Sequence, residues 1–319
     1  MASILGIREG KMTRLHTLIR NNGRQAVLEL DYDRRVVDAA AGYLATEDVE
    51  VGFLFSGWAY TPLPHRRLKD DETWTVRTDH ASVVVQPGLF VPEQGEPIPV
   101  GVPYGSRARL ILLYLQTQAI KNQSREIELG HNLTNWMRKM NIPKGGKSYT
   151  DVREQADRIA RCRLTFQFRQ GSFSGLLNQH ILDQAVFVGD PNSPATHFAE
   201  SVKLSEGYYE QLKKHPLPVE DAAIRQISNN SMAIDLYIWL AYRLHALSQA
   251  TQITWKSLHV QFGSGYGRLD NFKLRFKESM ALALAVYPDA DVRDGPVGIV
   301  LNPSRPPVSS KTRTVSIER

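Results

Sequence analysis

Apolar residues recur every three to four positions over residues 106–122, and this spacing predicts a helix with a broad buried face. Ser106 stands where a helix-capping side chain is expected. Residues 125–129 then alternate between charged and apolar side chains, as in a half-buried strand. A helix this apolar needs partners to cover it, so we expect it to begin a compact domain.

Two shorter helical patterns follow that strand. Asn132 is placed to cap the first and Ser148 to cap the second. Residues 164–169 alternate again, and we expect residues 185–188 to pair with them as a hairpin, with Arg169–His180 as the wing. The order helix, strand, helix, helix, hairpin predicts a winged helix over residues 104–197.

The same order of patterns recurs in the second half of the chain. A long apolar helix is expected after Ser231, a short helix after Thr254, and a third from about Gly267 to Ala285. Residues 289–301 have the composition of a β-hairpin. The repetition is one of architecture and not of sequence, and it predicts a second winged helix over residues 198–302.

The remaining segments are expected to extend this pair of domains. Residues 1–50 are interpreted as an arm with one short helix, capped by Asp31 or Asp33. Residues 51–103 are a β-rich extension and connector, broken by prolines, and residues 303–319 are a disordered basic tail. The predicted fold class is therefore α+β and mainly helical, with two tandem winged-helix domains and an N-terminal β-rich extension.

Composition adds limits to this picture. A chain of 319 residues corresponds to about two domains, and its 42% hydrophobic content is enough for real cores. We expect no membrane partner, because no stretch approaches the roughly 20 consecutive apolar residues of a membrane helix. The first residues show no signal-peptide pattern, and the single cysteine, Cys162, excludes an internal disulfide. These features fit a cytoplasmic, reducing location.

The positive charge of the chain is concentrated in the first predicted winged helix. The chain has a net charge of +6 and a pI near 9.3, which suits a polyanionic partner. Residues 131–169 hold nine Lys or Arg against three acids, so this stretch alone has a charge of 9 − 3 = +6. An ordinary soluble basic protein is the alternative, and net charge does not decide between the two.

The candidate DNA-binding residues lie on the two predicted third helices and on the turn before the first of them. In the second domain Phe272 and Phe276 are expected to face inward, which turns the polar residues between them outward. Arginine pairs well with guanine, asparagine with adenine, and lysine suits phosphate. The candidates are Arg268, Asn271, Lys273, Arg275, Lys277, Lys144, Lys147, Arg153, Arg158 and Arg161, with Gln155 on the same expected face. A solvated amphipathic helix is the alternative for either helix taken alone.

The turn between the second and third helices has the sequence Asn-Ile-Pro-Lys-Gly-Gly-Lys-Ser, residues 141–148, and ends like a phosphate-binding P-loop. A P-loop needs a glycine where Asn141 stands and a buried strand in front, whereas a helix is predicted there. We interpret the segment as a flexible basic turn, with Lys144 and Lys147 placed to meet DNA phosphates. A solvated turn is the alternative.

The sequence contains no motif for a zinc enzyme, a nicking nuclease or a cysteine nucleophile. The nine histidines form neither a zinc pattern nor the pair that a nicking nuclease requires. Asp289, Asp291 and Asp294 fall in a predicted hairpin, where turn formation explains them. Cys162 follows inward-facing residues and is expected in the core. We expect no catalytic residue, no metal and no cofactor.

Several motifs together resemble the plasmid-encoded RepA replication-initiator family. They are Gly101–Thr117 (GVPYGSRARLILLYLQT), Leu129-Gly130, Trp136-Met137, Gln155–Arg163, Leu63–Arg66, Trp255-x-x-Leu258 and Tyr287-Pro288. The resemblance covers roughly residues 60–305. It implies a bacterial plasmid initiator that binds repeated origin sequences and helps to open the origin, and tandem winged helices are typical of such proteins. It assigns no individual base contacts.

The leading hypothesis is therefore a non-enzymatic, sequence-specific binder of double-stranded DNA that initiates plasmid replication. Its expected partners are the repeated sequences of a plasmid origin, a second copy of the chain in a homodimeric state, and host replication proteins. The second winged helix is expected to read bases, while the first contacts phosphates, pairs protomers, or both. A winged-helix transcriptional repressor and an enzyme, either a nicking nuclease or an NTPase, are the alternatives.

Overall fold

The computed structural model describes residues 11–47, 50–78, 81–130, 132–170, 173–188 and 198–309. The first ten residues and most of the predicted tail lie outside the described residues. The chain folds into two compact units. The terminal unit takes the residues up to Val51 and those from Pro218 onward, and the central unit takes Gly52–Leu217.

The helices are numbered in chain order over the described residues. They are α1 (Lys11–Leu28), α2 (Arg34–Leu44), α3 (Gly57–Tyr60), α4 (Gly105–Lys121), α5 (Leu133–Lys139), α6 (Gly146–Arg161), α7 (Glu206–Lys214), α8 (Asp221–Ile227), α9 (Ser231–Arg243), α10 (Trp255–Phe262) and α11 (Leu269–Ala285), with a 3₁₀ turn at Leu244–Ala246.

The strands are numbered in the same way. They are β1 (Val51–Phe55), β2 (Trp74–Arg77), β3 (Ala81–Gln86), β4 (Leu89–Phe90), β5 (Ile98–Pro99), β6 (Glu126–Glu128), β7 (Arg163–Gln170), β8 (Phe173–His180), β9 (Leu182–Val188), β10 (Phe198–Leu204), β11 (Pro216–Glu220), β12 (Thr251–Thr254), β13 (Val292–Gly295) and β14 (Gly298–Leu301).

The terminal unit begins with two packed helices. α2 was predicted, and Asp33 caps it by accepting a hydrogen bond from the Arg35 N–H at 2.8 Å. The sequence pattern did not predict α1, which is interrupted at Gly23, where φ is +77°. α1 nevertheless contributes to the core, because Leu15 and Val27 are fully buried.

The second half of the terminal unit contains the four helices α8 to α11 and a three-stranded sheet. The cap of α9 is Asn230 and not Ser231, since its side chain accepts from the Ala233 N–H. Thr254 caps α10 as predicted. The strand β12, which the sequence pattern did not reveal, lies between α9 and α10 and pairs with β14, and β14 pairs with β13.

The central unit repeats this connectivity. Its order is α4, β6, α5, α6 and then the strands β9 and β10, which pair with each other, while β10 also pairs with β6. In both units the strand between the first two helices thus pairs with the last strand of the series. Asn132 caps α5 as predicted, but α6 begins at Gly146, before the expected cap Ser148.

The predicted pairing of residues 185–188 with residues 164–169 is wrong. Residues 185–188 belong to β9, whose partner is β10. The strand β7 instead lies between β3 and β8 in a four-stranded sheet of order β2-β3-β7-β8. Alternation shows which face of a strand is buried, but it contains no information about the partner strand, and β3 comes from far upstream.

The helix α4 is central to its unit, and polar side chains attach other elements to it. Gln116 accepts a hydrogen bond from the Phe55 N–H at 2.7 Å, and Thr117 accepts one from the Phe53 N–H at 2.9 Å. Arg109 is buried and donates to the carbonyl oxygens of Leu63 and Gly105 at 2.7 and 2.8 Å. Ser106 is not the cap, since Tyr104 precedes the first helical residue.

Candidate nucleic-acid interface

The third helix of the terminal unit, α11, is held in place by aromatic packing. Phe272 and Phe276 are fully buried, as the sequence predicted. The Phe276 ring lies edge-on to Trp255 of α10 at 5.6 Å, and the Phe272 ring lies edge-on to His259 at 5.0 Å. The side of α11 that faces α10 is therefore fixed, which also determines which of its side chains face solvent.

The structure places Arg268, Asn271 and Arg275 together at the exposed side of α11. Arg268 is the residue that precedes the first turn, and Asn271 and Arg275 are one helical turn apart. Arg275 lies 2.9 Å from Glu278, and its side chain is 58% exposed, so its guanidinium remains accessible. These are the residue types that recognise guanine and adenine edges.

The two lysines predicted on this helix have a different environment. Lys273 and Lys277 are half-buried, with their ammonium groups 5.9 and 5.6 Å from the centre of the Trp255 ring. Lys277 also lies 3.5 Å from Asp294 in β13. Lys277 thus connects α11 to the β13–β14 hairpin, and both lysines flank the exposed side rather than lie at its centre.

The central unit exposes a second basic region, the basic turn, defined as residues 138–147. Its exposed cations are Arg138, Lys139, Lys144 and Lys147. Arg138 and Lys139 were not among the predicted site residues, although basic residues in the last turn of a helix are a signal that sequence reasoning can use. Lys147 lies 2.8 Å from Asp151, and that hydrogen bond raises the pKa of the Lys147 ammonium.

The expectation that Arg158 faces outward is wrong. Its side chain is 3% exposed and donates to Asp70 at 2.8 Å, to Glu154 at 2.9 Å and to the Val102 carbonyl at 3.1 Å. Gln155 is also buried, and its Oε1 accepts from the Tyr104 N–H at 2.7 Å. Helical spacing placed both residues on a polar face, but that face is covered by the segment that precedes α4.

Arg161 and Arg153 are only partly exposed. Arg161 donates to Asp157 at 2.6 Å and to the Leu89 carbonyl at 3.1 Å, and its guanidinium lies 5.4 Å from the Phe90 ring centre. Arg153 lines a cavity of about 290 Å³ together with Trp136 and Phe187. The three acids of residues 131–169, Asp151, Glu154 and Asp157, each lie beside a cation of α6. The accessible surplus of charge is therefore concentrated in the basic turn.

The segment that resembles a P-loop follows a helix, as expected. α5 ends at Lys139, and α6 begins at Gly146 after a short turn.

Over the described residues, no group of three or more His, Cys, Asp or Glu side chains is placed to hold a metal ion. Cys162 is in the core, where burial raises the pKa of its thiol to about 12. In the part of the chain that the structure describes, no helix combines the length and apolarity needed to cross a membrane.

Comparison with solved structures gives distant matches. A structure of domains 2 and 3 of RctB aligns with a TM-score of 0.48 and 11% identity over 80% of this chain and 99% of that chain. A second structure of the same RctB domains aligns with a TM-score of 0.43 and 11% identity over 76% and 94%. No curated protein matches the chain.

The family comparison concerns the central unit and the helices that follow it. Residues 102–257 match the model of a family described as plasmid-encoded RepA protein. The match begins beside the Val102 carbonyl that Arg158 contacts and includes α4, the basic turn and α6. Residues 102–257, just under half of the chain, are therefore similar to the plasmid-encoded RepA protein family.

Proposed function

We propose that the chain is a plasmid replication initiator that binds repeated double-stranded DNA sequences at an origin and promotes origin opening, without enzymatic activity of its own. The match of residues 102–257 to the plasmid-encoded RepA protein family supports the role as an initiator. The observation that carries DNA recognition is the exposed group of Arg268, Asn271 and Arg275 on α11, a helix whose opposite side is fully buried.

In this proposal each unit contains a winged helix. In the terminal unit the series is α9, β12, α10, α11 and the β13–β14 hairpin. In the central unit it is α4, β6, α5, α6 and the β9–β10 hairpin, with the β7–β8 hairpin inserted. The third helix of a winged helix enters the major groove, and the hairpin contacts the backbone or minor groove. We assign base reading to α11 and phosphate contact to the basic turn.

The division of labour follows from the chemistry of the exposed groups. Arginine and asparagine make two hydrogen bonds to one base edge, which gives sequence discrimination. Lysine is a compact charge on a flexible stem and fixes position on the phosphate backbone without reading sequence. Two residues of α6 that were predicted to face DNA, Arg158 and Gln155, are buried. Its unit therefore suits phosphate anchoring, pairing of protomers, or both.

The test is a binding titration of the full chain against duplexes tiled across the DNA that flanks its coding sequence, at several salt concentrations. We expect a repeated duplex to bind at least about 10³-fold more tightly than scrambled DNA. The double substitution Arg268→Ala/Arg275→Ala should remove this preference and retain non-specific binding. Lys213→Ala, which removes an exposed cation from α7, is the matched control and should keep the preference. Equal binding to every duplex would overturn the proposal.

Origin opening is tested separately on a supercoiled plasmid that carries the preferred repeats. Thymines near the repeats should become reactive to permanganate when the wild-type chain is added, and not when the double variant is added. Unchanged reactivity at saturating protein would reduce the role to DNA binding alone.

A further inference from the structure

The centre of the exposed side of α11 is occupied by an apolar residue. Leu274 is 41% exposed, although Phe272 and Phe276 on the same helix are fully buried. It lies two positions from each of them, and at about 100° per residue this turns its side chain away from both. Leu274 is therefore opposite the face that packs on α10.

The neighbours of Leu274 are polar. Asn271 lies one turn before it, Arg275 follows it directly, and Glu278 lies one turn after it. Glu278 is within 2.9 Å of Arg275, and Asp270 lies 3.8 Å from Lys273, so each acid on this part of the helix is near a cation. The apolar side chain of Leu274 thus lies among side chains that can donate or accept hydrogen bonds at base edges.

The aromatic packing between α10 and α11 involves Phe272, Phe276 and Trp255, and Leu274 lies on the other side of α11 from both phenylalanines. A single exposed leucine is common on protein surfaces. A leucine at the centre of a side that would enter the major groove has a specific counterpart there, because the C5-methyl of thymine is the apolar group of that groove.

We propose that Leu274 is a specificity-determining residue that contacts the C5-methyl group of a thymine in the recognised repeat. This inference rests on the proposed function, since it requires α11 to lie in the major groove. Arg275 and Asn271 would recognise the hydrogen-bonding edges of neighbouring bases, while Leu274 selects a T·A pair by burying its methyl. The contact forms no hydrogen bond, so it distinguishes thymine from uracil, which presents the same polar edge without the methyl.

The experiment uses the full chain and the duplex that it selects from a random-sequence library. Each thymine of the selected repeat is replaced singly by uracil, and affinities are measured by fluorescence anisotropy. For wild type, at least one position should weaken binding about fourfold, which corresponds to ~0.8 kcal/mol for a buried methyl-sized group at an RT of ~0.59 kcal/mol. For Leu274→Ala the same replacement should have no effect. Leu89→Ala, an exposed leucine of the central unit, should retain the fourfold penalty.

The outcomes separate the two proposals. If a preferred repeat is selected but wild type is insensitive to uracil at every position, the role of Leu274 is overturned and the proposed function stands. An equal uracil penalty in wild type and Leu274→Ala also overturns it, because the methyl would then be read by another residue. If no preferred duplex is selected at all, the proposed function fails first, and this inference fails with it.

Discussion

The Nη2 atom of Arg158 lies 2.8 Å from Oδ1 of Asp70, a residue 88 positions earlier in the chain. Helical spacing predicted that Arg158 faces DNA. The ion pair instead holds its side chain inside the central unit. Gly101 accommodates it, since a Cβ at that position would lie 1.9 Å from Nη1 of Arg158. Arg158 therefore connects α6 to the segments that precede α4.

The burial of Arg158 predicts a contribution to stability and none to DNA contact. Arg158→Ala removes a side chain that is 3% exposed together with its hydrogen bonds to Asp70 and Glu154, which then retain only Arg67 as a shared partner, 3.0 and 3.4 Å away. We expect the free energy of unfolding to fall by about 1.5–3 kcal/mol, as for the loss of hydrogen bonds between charged groups. Urea unfolding followed by circular dichroism measures it. Lys147→Ala, which removes an exposed cation of the same helix, should leave the unfolding midpoint unchanged.

The same pair predicts a dependence on acid. Burial would raise the pKa of Asp70, but hydrogen bonds from Arg158 and Arg67 outweigh it and lower that pKa below its ordinary value. The stabilisation is therefore present above about pH 4, the ordinary pKa of aspartate, and is lost as the pH falls through the lowered pKa. Asp70→Asn should be less stable than wild type at neutral pH and converge with it in acid. A difference in unfolding free energy that is constant across pH would contradict this.

The basic turn predicts a change in salt dependence. Lys144 is exposed, and if it contacts a phosphate, Lys144→Ala should reduce the slope of log affinity against log salt concentration by about 1. Binding to preferred and scrambled duplexes should weaken by the same factor, because a phosphate contact reads no sequence. Anisotropy titrations over a range of salt concentrations measure both effects. Lys214→Ala on α7 is the control, and an altered base preference in Lys144→Ala would count against phosphate contact.

The β12–β14 pairing predicts the effect of one glycine. A Cβ added at Gly298 would lie 1.8 Å from the carbonyl oxygen of Ile253, so the two strands would have to separate. We expect Gly298→Ala to destabilise the chain by about 1–3 kcal/mol, the usual cost of overpacking. Thermal unfolding measures the change. Gly267→Ala is the matched control because no atom lies within 4 Å of the corresponding Cβ, and a similar loss in both variants would refute the steric explanation.

The exposure of the candidate residues was predicted more accurately on α11 than on α6. The prediction for α11 rested on Phe272 and Phe276, which are both buried, so the opposite side is exposed. On α6 the stripe of Val152 and Ile159 was also buried as expected, but a second layer covers the adjacent side of that helix. Periodicity identifies the most apolar face of a helix and gives no sign of polar faces that other segments will cover.

The sequence by itself determined the local structure: the amphipathic helices, the caps at Asp33, Asn132 and Thr254, and the family motifs of residues 102–257. Each of these depends on residues within a few positions of one another, so spacing alone reveals them. Only the tertiary structure decided that β7 pairs with β3 and that Arg158 meets Asp70. Strand partners and charge compensation depend on segments distant in the chain, which packing brings together and local periodicity does not encode.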